Sequence, residues 1–534
     1  LSMDARSAPN AIVKSRIGLA AGLCAAAFSI IVARLFEVMV FGAGVAGGAD
    51  AAPARQPMRA DFVDRNGVLI ARDLPVSDLY ASPAAFWDSD EAATGLAKVT
   101  GADAKRLKEL FAEKRGYVLV RRGLSPDMRD GVMRLGLPGL TFEKAYRRYY
   151  PAGRILSHAV GQVDPDDNGV SGLELGLDKL VRGRDEPLEL SFDMRVQYVL
   201  EHEMRETVRT FNAKAAGGLV LDVRTGEVLA LASLPNYEPN SRSMVPGDSI
   251  RNRLTQDVYE LGSIFKIFAF AQAIEEKTVS LSEQINIGRP LKFGRHTIND
   301  FSNHGSILPV PMVFAESSNI GTAQIALRAG TTRQQNFLRH LGLLDGLKTE
   351  LPEMASPLYP RRWNEVETVT ISYGQGISVN PLAFAAAAAA VVNGGTLVRP
   401  TFLKNREPQK GERVISEAAS QSMRDLMRLV VTDGTGSKAD VPGYEVGGKT
   451  GTADKPVNGS YARSLLLSSF TGVFPMSQPQ YLVFVMIDEP KGTKASFGFA
   501  TGGWTAAPAV GRVISRIAPL LGVRRNDTFA AANP

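Results

Sequence analysis

Residues 17–41 place the first constraint on what this chain can become. Ile17 to Ala33 carries no charge, and the apolar pattern continues through Leu35-Phe36 to Val38-Met39-Val40-Phe41. As a helix the stretch would reach on the order of 37 Å, enough to cross a hydrocarbon core with some tilt. Arg34 and Glu37 interrupt it near the far end, where they can pair or reach the interface. Arg6, Lys14 and Arg16 precede the run, so the positive-inside rule puts residues 1–16 in the cytoplasm. No later run is long and apolar enough to span again: Ala385 to Val392 is an alanine-rich helix former, and too short. The expectation is one membrane anchor over 17–41, with the rest of the chain outside the cytoplasm. A cleaved signal peptide is the alternative, since Ala43-Gly44-Val45-Ala46 is a small-residue stretch, but the apolar run exceeds a usual signal core. Gly18, Ala21, Gly22 and Ala25 would give the anchor a small-residue face for a partner helix, or simply face lipid.

At 534 residues the chain exceeds one core, and two or three domains are expected. A net charge of +6 without any nucleic-acid motif reads as a solvated basic surface, so no nucleic-acid partner is expected. The single cysteine, Cys24, lies in the apolar run, which excludes an intramolecular disulfide. His158, His202, His296, His304 and His340 are scattered without metal-ligand spacing. No metal or other cofactor is expected, and zinc or Ser-His-Asp hydrolysis is disfavoured.

Residues 42 to about 56 are rich in Gly and Ala and read as a linker. Asn66-Gly67 between apolar runs predicts a hairpin turn, and Asp88 to Arg122 reads as short helices and strands. The charges of this region are dispersed along the sequence and its glycines fall at turns. That suggests a spacer or binding domain over 42–187 rather than a catalytic one. The pattern changes near Leu188. A helix is predicted from Asp193, as cap, to about Phe211; Gly217–Val223 and Glu227–Ala232 then flank Arg224-Thr225-Gly226 as a hairpin. Helical patterns run to about Asn393, and strand patterns return at Ser468–Val473 and Tyr481–Ile487. Strands early and late with helices between predict an α+β domain over 188–523, its antiparallel sheet flanked by helices. Residues 524–534 read as a flexible tail.

Chemistry concentrates in three short stretches. In Tyr259-Glu260-Leu261-Gly262-Ser263-Ile264-Phe265-Lys266, Gly262 permits a sharp turn, Ser263 opens a helix, and Lys266 lies one turn on along the same face. A buried lysine there loses part of its charge preference and becomes a usable base for a serine nucleophile. Alone, this spacing arises by chance and equally describes a helix cap with a solvated lysine. Glu316-Ser317-Ser318-Asn319 adds a second hydroxyl and an amide, and Gly447-Gly448-Lys449-Thr450-Gly451-Thr452-Ala453 a second lysine between glycines. Each has its own plain alternative, a polar turn and a strand edge with a bulge. The three together, in this order behind an anchor, favour chemistry.

This trio resembles that of penicillin-binding proteins and serine β-lactamases. Arg59 to Asn66, Tyr150-Pro151, His158 to Gly161 and Gly172 to Glu174 are similar to the pedestal (dimerisation-type) domain of class B penicillin-binding proteins. Arg251-Asn252-Arg253 leading into Tyr259-Glu260, then Ile298-Asn299-Asp300 and Ser317-Ser318-Asn319, resemble the division-specific septal transpeptidase (FtsI-type), with the elongation-specific relative as rival. Leu261 and Ile264 depart from the proline and threonine that many members carry there. The resemblance implies the penicillin-binding transpeptidase fold on an elongated pedestal. It also implies a peptidoglycan D,D-transpeptidase that acylates Ser263 with a stem peptide and releases D-alanine. Lys266 would be the base, Ser317 and Lys449 the proton path to the leaving amine, and Asn319 the group that orients Lys266. Thr450, Gly451 and Thr452 would hold the substrate carboxylate, and the backbone N–H groups of Ser263 and Thr452 the oxyanion. Implied partners are the stem peptide and its lipid-linked precursor, β-lactams, the membrane, a polytopic glycosyltransferase (FtsW-type) and other division proteins. A penicillin sensor or idle scaffold is the alternative of another class. Residues 1–16 are too few for an effector domain, and the intact set Ser263, Lys266, Asn319 and Lys449 opposes a scaffold.

Overall fold

In the computed structural model, residues 58–526 are described except 114–115, 242–246, 294–295, 406–409 and 458–459, together with 22, 25–29 and 31–32. The expected anchor over 17–41 lies mostly outside the described residues; those of it that are described are helical. Among the described residues no helix is long and apolar enough to cross a membrane. Residues 1–57 form one unit and 58–534 another.

The larger unit is built on a five-stranded antiparallel sheet. Its order is Gly447–Val457, Ser460–Phe474, Tyr481–Asp488, Ala215–Asp222, Val228–Leu234. The first hairpin of the domain therefore lies beside strands that come more than 200 residues later, with Tyr481 opposite Asp222 and Asp488 opposite Ala215. Side chains alternate between two cores, as the period of a strand requires. Val220, Val483 and Val485 pack under Met194–Thr210 and Ala506–Leu520, whereas Leu219, Leu221 and Phe484 face the helical layer. That layer holds Lys266–Glu275 and Pro381–Val392. The alanine run of Pro381–Val392 is wholly buried, and its small side chains let Phe265, Phe268 and Phe484 pack around Phe384 in tilted and edge-on contacts. Asn380 caps this helix through the N–H groups of Leu382 and Ala383, and Pro381 occupies a position where no N–H is needed.

Ahead of this sheet, Leu69–Ala81 runs between Val118–Leu124 and Leu140–Tyr149, with Ser89–Thr100 and Ala104–Ala112 closing a small core around Leu79, Leu96 and Phe111. Asn66-Gly67 makes the expected turn between Phe62–Val63 and Leu69–Ala81. The base of this region shares one core with the helical layer: Phe62, Ile70, Tyr150, Leu156 and Leu173 belong to the same cluster as Phe265 and Phe384.

One expectation is extended by the structure and one is corrected. The charges of 42–187, dispersed in sequence, converge in space. The buried guanidinium of Arg59 donates through Nε and Nη2 to Glu174 at 3.1 and 2.7 Å, and through Nη1 to Asp178. The equally buried Arg148 donates to the other oxygen of Glu174 at 2.7 Å and to Asp73 at 3.2 Å. Burial raises the Asp178 carboxyl, but hydrogen bonds from Arg182 and Arg59 outweigh it and bring the pKa down to about 2. The expected flexible tail over 524–534 is tied down at Asn526. Asn526 donates its N–H to Gly443 O at 2.8 Å and its amide to Glu445 at 2.9 Å, so 524–526 are docked, and 527–534 lie outside the described residues.

Candidate active site

Ser263 sits in a 3-10 turn, Gly262–Phe265, that passes directly into the helix Lys266–Glu275. Gly262 has φ +62, and a Cβ on it would lie 2.7 Å from Thr452 O. Gly374, at φ +83, would bring a Cβ to 2.2 Å from Gly262 O. Only glycine allows the serine loop to wedge between the edge strand and the 374–376 loop. Leu261 and Ile264 are 1% and 0% exposed and pack into the core, which accounts for apolar residues at those two positions.

Lys266 is fully buried, and its Nζ meets four oxygens: Ser263 Oγ at 3.1 Å, Ser317 O at 2.6 Å, Ser317 Oγ at 3.0 Å and Asn319 Oδ1 at 2.8 Å. Two of these are carbonyl oxygens, which only accept. A neutral amine has two N–H groups and one lone pair. With the N–H groups on the two carbonyls, the lone pair is left for a hydroxyl proton. Burial lowers the Lys266 pKa well below the ordinary lysine value, the nearby charge of Lys449 lowers it further, and Asp300 opposes both.

Ser317 follows the short helix Val310–Ala315 and adopts φ +62, a left-handed conformation that turns both its oxygens toward Lys266. Ser318 caps the next helix, Asn319–Ala329, through Gly321 N–H. Lys449 comes from the edge strand Gly447–Val457, is fully buried, and places Nζ 2.9 Å from Ser317 Oγ. Burial lowers its pKa to about 7, against the charge of Glu316. The Ser317 hydroxyl therefore bridges two lysine amines. Of the remaining expected residues, Thr450 is largely buried with its hydroxyl 2.7 Å from Thr435 Oγ1, and Thr452 Oγ1 accepts from Gly502 N–H at 3.1 Å. Gly451 has no room for a side chain, since a Cβ would lie 2.3 Å from Ser469 Oγ.

The description "Penicillin binding protein transpeptidase domain" matches residues 216–513, and "Penicillin-binding Protein dimerisation domain" matches 54–208. A Caulobacter vibrioides protein described as a probable peptidoglycan D,D-transpeptidase FtsI is 42% identical over 509 residues, covering 92% of this chain and 85% of its own. The chain belongs to the class B penicillin-binding proteins. Peptidoglycan D,D-transpeptidase FtsI of Escherichia coli K12 is 30% identical over 495 residues, with 86% and 83% covered. The fold is also that of penicillin binding protein 3 from Mycobacterium tuberculosis in complex with aztreonam, at TM-score 0.70 and 24% identity over 88% of this chain and 98% of that one.

Three side chains complete this class B site without having been assigned a role from the sequence. Asp300 accepts from Ser318 Oγ at 2.7 Å and from the N–H groups of Asn319 and Ile320 at 2.6 and 2.9 Å, fixing the start of the helix that carries Asn319. Glu316 faces Lys449 electrostatically and lies 3.6 Å from His304 Nδ1. Thr435 comes from Thr432-Asp433-Gly434-Thr435-Gly436-Ser437, whose hydroxyl and glycine density signals a tight turn but not its partner, Thr450.

Proposed function

We propose that this chain is a serine-type peptidoglycan D,D-transpeptidase, and that its Ser263 hydroxyl attacks the carbonyl of the penultimate D-alanine of a stem peptide. The observation that carries this reading is the contact of the buried Lys266 amine with Ser263 Oγ at 3.1 Å, while two carbonyls take the amine's N–H groups. As the Ser263 O–C bond forms, the hydroxyl proton passes to the Lys266 lone pair. The developing oxyanion sits between the backbone N–H groups of Ser263 and Thr452, in segments that touch at Gly262. The C–N bond then breaks, and the proton returns through Ser317 Oγ, hydrogen-bonded to both lysines, to the departing D-alanine amine. Lys449, with Thr450 and Thr452 on the edge strand, supplies charge and hydroxyls for the terminal carboxylate. An amine of a second stem peptide attacks the acyl-serine, forming the cross-link and restoring Ser263.

The septal setting is supported by the relatives named FtsI and by Arg251-Asn252-Arg253, Tyr259-Glu260 and Ile298-Asn299-Asp300. The inner-membrane location with the N-terminus in the cytoplasm, the anchor over 17–41, and a polytopic glycosyltransferase partner of FtsW type are supported by the apolar run and the class B family. The division into a 42–187 pedestal and a 188–523 transpeptidase domain follows the change of pattern near Leu188; the order of the two domains is supported by the family matches, of which the N-terminal one runs past that boundary to 208. β-Lactams would acylate the same serine as mimics of the D-alanyl-D-alanine end.

The test is covalent labelling by a fluorescent penicillin, with Ser263→Ala alongside. Labelling of the unsubstituted protein and its loss in the variant are the expected results; undiminished labelling of the variant would remove Ser263 from the mechanism. Thr435→Val takes one hydrogen bond from Thr450, worth about 1 kcal/mol. It is expected to slow acylation several-fold at low drug concentration while lowering the unfolding temperature by only about a degree or two, as measured by labelling time courses and melting curves.

A further inference from the structure

Glu260 lies three residues before the nucleophile, and nothing in the steps above uses it. Its carboxylate is half-buried and joins three segments. It accepts from Gly376 N–H at 3.1 Å, on the loop whose Gly374 O accepts Gly262 N–H at 3.3 Å. It also accepts the Tyr461 hydroxyl, at 3.0 Å to Oε2 and 3.3 Å to Oε1. Tyr461 stands at the start of Ser460–Phe474, opposite Pro456 of the edge strand, on the outer end of the hairpin that carries Thr452. That hairpin end has a second tether, Lys455 Nζ at 2.7 Å from both Asp488 and Glu489. The two halves of the oxyanion hole, one on the serine loop and one on the edge strand, thus belong to segments that meet at a single carboxylate.

We infer that Glu260 is a positioning residue that, with Tyr461, holds the Ser263 and Thr452 backbone N–H groups in register across the cleft. This rests on the acyl-serine reading above. An oxyanion hole acts on the transition state more than on the bound ground state, because its donors are aimed where charge develops. Loosening the clasp therefore slows bond formation without weakening initial binding. A residue that only supports folding has no reason to separate the two.

The experiment follows acylation of the full-length protein by a fluorescent penicillin under rapid mixing, separating the acylation rate constant from the binding constant, beside melting temperature. Tyr461→Phe removes one hydroxyl from a half-exposed side chain and leaves the ring. It is expected to lower the acylation rate constant about fivefold with the binding constant and melting temperature unchanged. Glu260→Ala is expected to lower it more than tenfold, and Glu260→Gln, which keeps an acceptor for Gly376 N–H and Tyr461, to recover most of that loss. Rate constants at the unsubstituted value in Tyr461→Phe and Glu260→Ala would overturn the inference. So would losses that appear in the binding constant, or that scale with melting temperature. Absence of labelling in the unsubstituted protein would instead overturn the acyl-serine reading itself, so the two failures are distinguishable.

Discussion

Lys266→Met should lower the acylation rate constant by about three orders of magnitude, within the range found for positioned general bases. Methionine fills nearly the same space in the buried site, so the loss measures the amine and not a cavity. The pH profile identifies the group more sharply than the rate. The base must be neutral to accept the Ser263 proton, so the rate rises with pH as Lys266 deprotonates. The rise is expected well below the ordinary lysine range, because burial first, and the charge of Lys449 second, disfavour the ammonium. The two lysines meet at one hydroxyl, which brings the Lys449 charge to bear on Lys266. Lys449→Met removes the repelling charge and should move the rising limb to higher pH. Asp300→Asn removes the charge that favours the ammonium and should move it to lower pH. Acylation rates measured across about five pH units would show both shifts. A limb that stays in place in both variants would exclude Lys266 as the base.

The meeting of Ser263 with Lys266 was legible because its logic is local. Ser263 and Lys266 are one turn apart, and a turn is fixed by backbone geometry whatever surrounds it. The hairpin Ala215–Asp222/Val228–Leu234 and the helix capped by Asp193 were legible for the same reason, each being set by residues a few positions apart. The pairing of Tyr481–Asp488 with Ala215–Asp222 was anticipated only as a sheet joined across the sequence, since alternation gives faces but not register. The helices Glu417–Thr432 and Ala506–Leu520 went unassigned, although both have strongly amphipathic faces. Thr435 and Asp300 were hidden for another reason. Each acts on a residue from a distant stretch or on backbone N–H groups, and no spacing rule links Thr435 to Thr450 or Asp300 to the start of the Asn319–Ala329 helix. The ion-pair cluster of Arg59, Arg148, Asp73 and Glu174 was not legible, because dispersal in sequence says nothing about distance in space.

That cluster carries the largest expected stability effect. Arg148→Met should destabilise the protein by about 3–5 kcal/mol, the usual cost of removing one partner from a buried ion pair. Arg148 is 4% exposed, its guanidinium holds Glu174 and Asp73, and its face lies 5.0 Å from the Phe62 ring. Once it is gone, Glu174 keeps Arg59, but among the described residues Asp73 keeps the Arg59 N–H alone, and a buried carboxylate loses its ion-pair partner. Asp73→Asn in the Arg148→Met background should therefore recover part of the loss, a coupling that distant substitutions would not show. The surface pair of Asp61 with Arg72, the neighbour of Asp73 on Leu69–Ala81, is the control, and Arg72→Met should leave the melting temperature unchanged. The effect should also reach the active site. Phe62, Tyr150 and Leu173 share one core with Phe265 and Phe384, so the base of the pedestal and the helix of the nucleophile are expected to melt together. In Arg148→Met the temperature at which fluorescent penicillin stops labelling Ser263 should fall by as much as the melting temperature. Labelling that persists above the melting of the pedestal would show instead that the two regions unfold independently, and that the shared core does not couple them.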